Sequence, residues 1–137
     1  MLQVCDRFLH LLLPHEEVLR RMAQSDLFVL PSWGEGYGIV YIEAMAAGCI
    51  AVGAENEGIA DTITDGENGF LVPAADTDAV EAVMRAVFAH PEAYEALRAR
   101  GTRDARRLTW AHNAEITAGV YRCLLYTSPS PRDGATS

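Results

Sequence analysis

Short runs of continuous apolar residues alternate along this chain with stretches whose apolar positions recur at helical spacing. Residues 4–13, VCDRFLHLLL, form an apolar run closed by Pro14 and predict a strand. In HEEVLRRMAQ, which follows, Val18, Leu19 and Met22 share one helical stripe. DLFVL at residues 26–30, closed by Pro31, has the unbroken apolar character of a parallel strand buried on both faces. After the glycine-rich turn PSWGEGYG, residues 39–47 suit a helix that Gly48 ends, and IAVGA at residues 50–54 predicts the next buried strand. Strand, turn, helix and strand make a βαβ unit.

The alternation continues. Residues 57–64 predict a short helix, DGENG a turn, and FLVP at residues 70–73 a further strand. From residue 77 to 89, Val80, Val83, Met84, Val87 and Phe88 fall on a single face, so this helix is expected to pack on the sheet. His90-Pro91 breaks it. A second helix carries Ala93, Leu97 and an arginine cluster, and a third is expected from about residue 112 to 125, with Trp110 anchoring the turn before it. The fold class is therefore α/β, a Rossmann-like doubly wound parallel sheet with C-terminal helices. Residues 126–137, YTSPSPRDGATS, lack any periodicity and are expected to be a disordered tail foreign to the domain that residues 1–125 form in part.

Length and charge narrow the function classes. With 137 residues, half of them apolar, the chain can bury one core but not two. A net charge of −8 argues against nucleic acid as a partner, because phosphate backbones need basic patches. All 11 basic residues are arginine, so a phosphate would be held by arginine, backbone N–H groups or a helix N-terminus. Cys5, Cys49 and Cys123 lie far apart among apolar neighbours, as reduced thiols do, and the N-terminal run carries Asp6 and Arg7 and lacks a cleavage site. The expected location is the cytoplasm.

The chemistry concentrates in residues 31–48, PSWGEGYGIVYIEAMAAG, where a buried strand enters a helix through a glycine-rich turn. In open α/β sheets this is the place where ligands bind. Gly34, Gly36 and Gly38 permit unusual dihedrals and close approach, while the unpaired N–H groups at the helix start can receive an anion such as a diphosphate. A turn that needs glycine for geometry alone is the alternative. Glu43 sits on a helix apolar on nearly every side, where a carboxylate calls for a partner with donors to offer, such as a ribose diol, unless it occupies a narrow solvent-facing strip. Glu35, eight positions earlier, would then face the transferred sugar, or is a plain loop glutamate.

PSWGEGYGIVYIEAMAAG followed by EGIADTITDGENGFLVPAAD resembles the donor-binding, C-terminal half of the GT-B glycosyltransferases of family 4, over about residues 10–125. The hallmark carrying the resemblance is a Glu, seven residues and a second Glu, here Glu35 and Glu43. The resemblance implies a retaining transfer of a hexose from a nucleotide diphosphate sugar to an acceptor hydroxyl, without a bound metal or other cofactor. It implies that Glu43 binds the ribose, that Glu35 contacts the donor sugar and supports the reacting centre as the catalytic residue, and that Gly36, Tyr37, Gly38, Ile39 and Val40 touch sugar and phosphates. The family's arginine and lysine for the diphosphate, and its acceptor-binding N-terminal domain for a glycan, lipid or small-molecule acceptor, have no counterpart here, so the chain is expected to be a fragment, inactive alone. His10 and Ile50 stand where glycine and proline are common. A non-catalytic nucleotide-sugar-binding module and a nucleotide-sugar epimerase share the architecture and are the alternatives.

Three other features have simpler readings. Asp76-Thr77-Asp78 spells a DxD metal motif, but it stands before an amphipathic helix where Asp78 with Glu81 resembles a capping box. The histidines His10, His15, His90 and His112 lack the mutual spacing of a metal site and read as turn or helix-end residues. Arg98, Arg100, Arg103, Arg106 and Arg107 share one helix and read as a solvated face, with peripheral contact to the inner face of an anionic membrane as the alternative.

Overall fold

The computed structural model of the protein describes residues 13–31, Gly34, Gly36 and residues 38–127, with side chains to Cys123. The strand expected over residues 4–13 falls almost wholly outside the described residues, as do residues 128–137 of the expected tail. Helix α1 spans His15–Met22, strand β1 Leu27–Val29, helix α2 Ile39–Ala47 and strand β2 Ile50–Ala54. Strand β3 spans Phe70–Val72, helix α3 Thr77–Ala89, helix α4 Glu95–Arg107 and helix α5 Trp110–Thr127.

The three strands form a parallel sheet in the order β1-β2-β3, with Leu27 opposite Ile50 and Val52 opposite Phe70. The central strand β2 is buried along its whole length, which is why it reads as an unbroken apolar run. Successive side chains on it point to opposite faces. Ile50 packs with Val87 of α3 and Leu97 of α4, whereas Ala51 packs with Tyr41 and Met45 of α2 and with Ile59. Helices thus cover both faces, as a doubly wound sheet requires.

Local chemistry explains where the elements start and stop. Pro14, at φ −55, leads into α1, and the acidic Glu16 and Glu17 in its first turn with Arg20 and Arg21 in its last suit the helix dipole. Arg20 and Arg21 both donate to Glu17 and hold its carboxyl below the usual range. Gly48, left-handed at φ 105, ends α2, and Arg106 of α4 reaches over to the Ala46 carbonyl at 3.3 Å, taking up one of the acceptors a helix end leaves open.

Several expectations are corrected. Residues 57–64 form only a 3-10 turn at Gly58–Asp61, held by the buried Ile59. The carboxylate capping α3 is Asp76, which accepts from the Ala79 amide at 2.9 Å, and Asp78 lies inside the first turn. Asp76 occupies that position because its extended backbone lets the side chain reach forward. Of the predicted apolar face of α3, Val83 and Val87 meet the sheet, while Val80, Met84 and Phe88 line an open cavity of about 800 Å³ beside β1. Helix α5 begins at Trp110 and runs to Thr127, past the expected boundary at residue 125. Trp110 anchors nothing there, since it is 80% exposed.

Candidate functional site

The β1–turn–α2 segment sits at the C-terminal edge of the parallel sheet, where strand ends and helix starts converge. Its frame is set by Tyr41, buried to 1% exposure, whose ring meets Phe28 of β1 edge-on at 5.5 Å. The Tyr41 hydroxyl donates to the Leu30 carbonyl at the exit of β1. One side chain therefore ties the strand end to the first turn of α2. A polar tip on an otherwise apolar helix is the sequence signal for this bond.

The three glycines serve different needs. Gly38 caps α2 at φ 70, and a Cβ there would come within 2.9 Å of the Tyr41 ring, so conformation and space both demand glycine. Gly34 is left-handed at φ 80. Gly36 is exposed, has no left-handed φ, and a Cβ there would meet nothing within 4 Å among the described residues. Glu35 and Tyr37, singled out from the sequence, lie outside the described residues.

Beyond Gly38 the helix opens toward solvent. Ile39 is 51% exposed and Val40 half-buried, and among the described residues their amides have no acceptor, whereas the Tyr41 amide is already bonded to the Gly38 carbonyl. Helix geometry gives the first amides of α2 no intrahelical acceptor, and they stand at its positive end.

Glu43, one turn further on, is half-buried beside the N-terminus of α1. Its Oε1 lies 3.4 Å from His15 Nε2. Two further residues, His15 and Glu57, join the site. His15 was read as a helix-end residue, and its approach to Glu43 depends on how α1 docks on α2. Glu57, in the loop after β2, accepts from the Gly34 amide at 3.0 Å and ties the glycine turn to the neighbouring strand. No local pattern signals either pairing.

Three of the five arginines singled out on α4 have partners elsewhere in the fold. Arg98 pairs with Asp26 at 2.9 Å, Arg100 with Glu67 at 2.7 Å, and Arg106 with the end of α2. Among the described residues no group of three His, Cys, Asp or Glu side chains converges, and no helix is long and apolar enough to cross a membrane. Cys49 is buried with its thiol 3.0 Å from the Met22 carbonyl, and burial pushes that thiol up from its ordinary range, against the pull of the nearby Arg98.

Residues 7–104 match the family of glycosyl transferases group 1. The D-inositol 3-phosphate glycosyltransferase of Rhodococcus opacus (strain B4) is 33% identical over 98 residues, which cover 72% of this chain and 22% of that protein. The chain thus spans about a fifth of the length of that relative. Among solved structures, the sucrose-phosphate synthase of Thermosynechococcus elongatus superposes with a TM-score of 0.72 at 29% identity, covering 85% of this chain and 29% of that one. Anabaena HepE, solved with UDP-glucose, shares the fold with a TM-score of 0.69 at 21% identity, over 77% of this chain and 30% of that one. The family match runs through α1, the sheet with α2 and α3, and most of α4, and on it this chain belongs to the glycosyl transferases group 1 family.

Proposed function

We propose that this chain is the donor-binding part of a retaining family 4 glycosyltransferase, of GT-B architecture, that moves a hexose from a nucleotide diphosphate sugar to an acceptor hydroxyl. The observation carrying this reading is the alignment, at one sheet edge, of the glycine turn, the amides of Ile39 and Val40, and the half-buried Glu43 carboxylate. Family membership and the fold shared with a protein that holds UDP-glucose support it.

In this reading the diphosphate lies on the start of α2 and Glu43 accepts from the ribose hydroxyls. The spacing suits it: Glu43 stands about 6 Å along the axis from Ile39 at about 1.5 Å per residue. Gly36 leaves bare backbone beside the sugar. Glu35 faces the sugar as the catalytic carboxylate, and Tyr37 adds a contact to the phosphates or sugar. As the glycosidic bond breaks, negative charge gathers on the leaving phosphate, and the N-terminus of α2 stabilises it without a metal.

The magnitude limits what α2 does alone. A helix terminus contributes at most about 2 kcal/mol in a partly buried geometry, roughly thirtyfold in rate. Larger stabilisation needs basic side chains, and with no lysine in the chain and Arg98, Arg100 and Arg106 engaged in packing contacts, those come from elsewhere in a longer protein, together with the acceptor site. The cytoplasm is the proposed location.

The test is Glu43→Ala in the full-length protein. Donor affinity is expected to fall at least tenfold, since a carboxylate accepting two hydroxyls makes charge-assisted bonds of about 1.5–3 kcal/mol each. Unchanged affinity and turnover would overturn the reading. Activity surviving a chelator and an α-linked product from an α-linked donor, seen by NMR, test the metal-free and retaining parts.

A further inference from the structure

We propose that His15 is a positioning residue for the nucleotide-sugar donor, holding the Glu43 carboxylate ready to receive the ribose; the inference rests on Glu43 being the ribose ligand. His15 is the first residue of α1, and its Nε2 stands 3.4 Å from Glu43 Oε1. That is an ion-pair contact, longer than the usual N–H···O hydrogen bond of about 2.9 Å.

The placement follows from packing. Val18, Leu19 and Met22 of α1 seat on Ala44, Ala47 and Cys49, and the Cys49 thiol bonds the Met22 carbonyl at 3.0 Å. This fixes the axis of α1 against α2. Pro14, with its restricted φ, and the bonds from the Glu17 and Val18 amides to the Pro14 carbonyl fix where α1 begins. His15 is therefore delivered beside Glu43 by two rigid helices, although its own side chain is 64% exposed and takes little part in the core.

Glutamate has three rotatable side-chain bonds, and a ligand that orders it loses part of its affinity to that ordering. A carboxylate has about four lone-pair sites, so one imidazole N–H restrains Glu43 and still leaves capacity for both hydroxyls of a diol. Because the imidazole is largely solvent-exposed, its loss should change ligand affinity far more than folding.

The experiment measures binding of UDP, ADP and GDP to the full-length protein by calorimetry, then repeats the tightest with its 2′,3′-dideoxy analogue. Wild type, His15→Ala, His15→Gln, Glu43→Ala and the double alanine variant are compared. His15→Ala is expected to weaken the ribonucleotide by about three- to tenfold and the dideoxy analogue by less than about twofold, while His15→Gln, which keeps a donor N–H, recovers to within about twofold. In the Glu43→Ala background, removing His15 should have no further effect. If His15→Ala leaves ribonucleotide binding intact, weakens both ligands equally, or acts the same without Glu43, the role of His15 is overturned and the donor site stands. If none of the three nucleotides binds, or Glu43→Ala changes nothing, the donor reading itself fails.

Discussion

The Gly34 amide donates to Glu57 Oε1 at 3.0 Å, joining the glycine turn that follows β1 to the loop that follows β2, 23 residues later. Gly34 is left-handed, and among the described residues a Cβ there would meet nothing within 4 Å, so Glu57 is the described contact that holds that point of the turn.

Glu57 is thus expected to order the turn for its ligand. In the full-length protein Glu57→Ala should raise the Kd of the bound nucleoside diphosphate by about two- to fivefold, because a half-exposed hydrogen bond contributes about 0.5–1 kcal/mol. Glu57→Gln, whose amide oxygen still accepts, should stay near wild type. Calorimetric titration beside a thermal melt separates the outcomes: a lower Tm with unchanged Kd would make Glu57 a structural residue only.

Asn68 is the buried polar side chain on which the far side of the domain turns. It accepts from the Thr64 amide at 2.8 Å and donates to the Thr62 carbonyl at 3.2 Å and to Asp104 of α4 at 3.1 Å. Asn68→Ala removes all three partners at once and should destabilise by about 2–3 kcal/mol. Gly101 of α4 lies so close that an added Cβ would overlap the Asn68 carbonyl oxygen. Gly101→Ala should cost a comparable amount, as its conflict is with backbone. Urea unfolding of both variants checks these values, and a near-neutral Gly101→Ala would show that α4 can slide.

Cys49 gives stability an alkaline limit. Burial raises its thiol above the ordinary value of 9.0, so the folded state keeps a proton that the unfolded chain releases. Because the folded value is the raised one, its stabilisation is fully present below 9.0 and is lost as pH climbs from there through the folded value. Wild type should lose stability across that window faster than Cys49→Ala, measured as the shift in urea midpoint. In the native state an alkylating reagent should label the exposed Cys123 well before Cys49, read by peptide mass mapping; equal rates would mean that α1 opens readily from Cys49.

Where local pattern and tertiary packing agree, the sequence was decisive. The bounds of α2, β2 and α3 follow from the sequence because Gly48, a five-residue apolar run and the His90-Pro91 break impose them through backbone geometry alone. Burial of β2 on both faces likewise needs only its composition. The glycine turn leading into a helix marked the site for the same reason, since Gly38 is demanded by a left-handed φ that few other residues adopt.

Tertiary structure decided the partners. Asp76 rather than Asp78 caps α3 because a cap depends on where the first turn closes, which spacing leaves open by a residue or two. Trp110 is 80% exposed, lining an open pocket with Ile39 and Ile42 of α2 rather than anchoring a turn, and a side chain's size cannot foretell that. His15 reaches Glu43, and Glu57 reaches Gly34, across 28 and 23 residues of chain, at distances fixed by helix docking and parallel strand register. Sequence alone thus singled out a carboxylate on an apolar helix beside a glycine turn, because burying an unpaired charge is costly. The fold alone decided that an imidazole from α1 stands beside it, because only packing brings distant residues within a few ångströms.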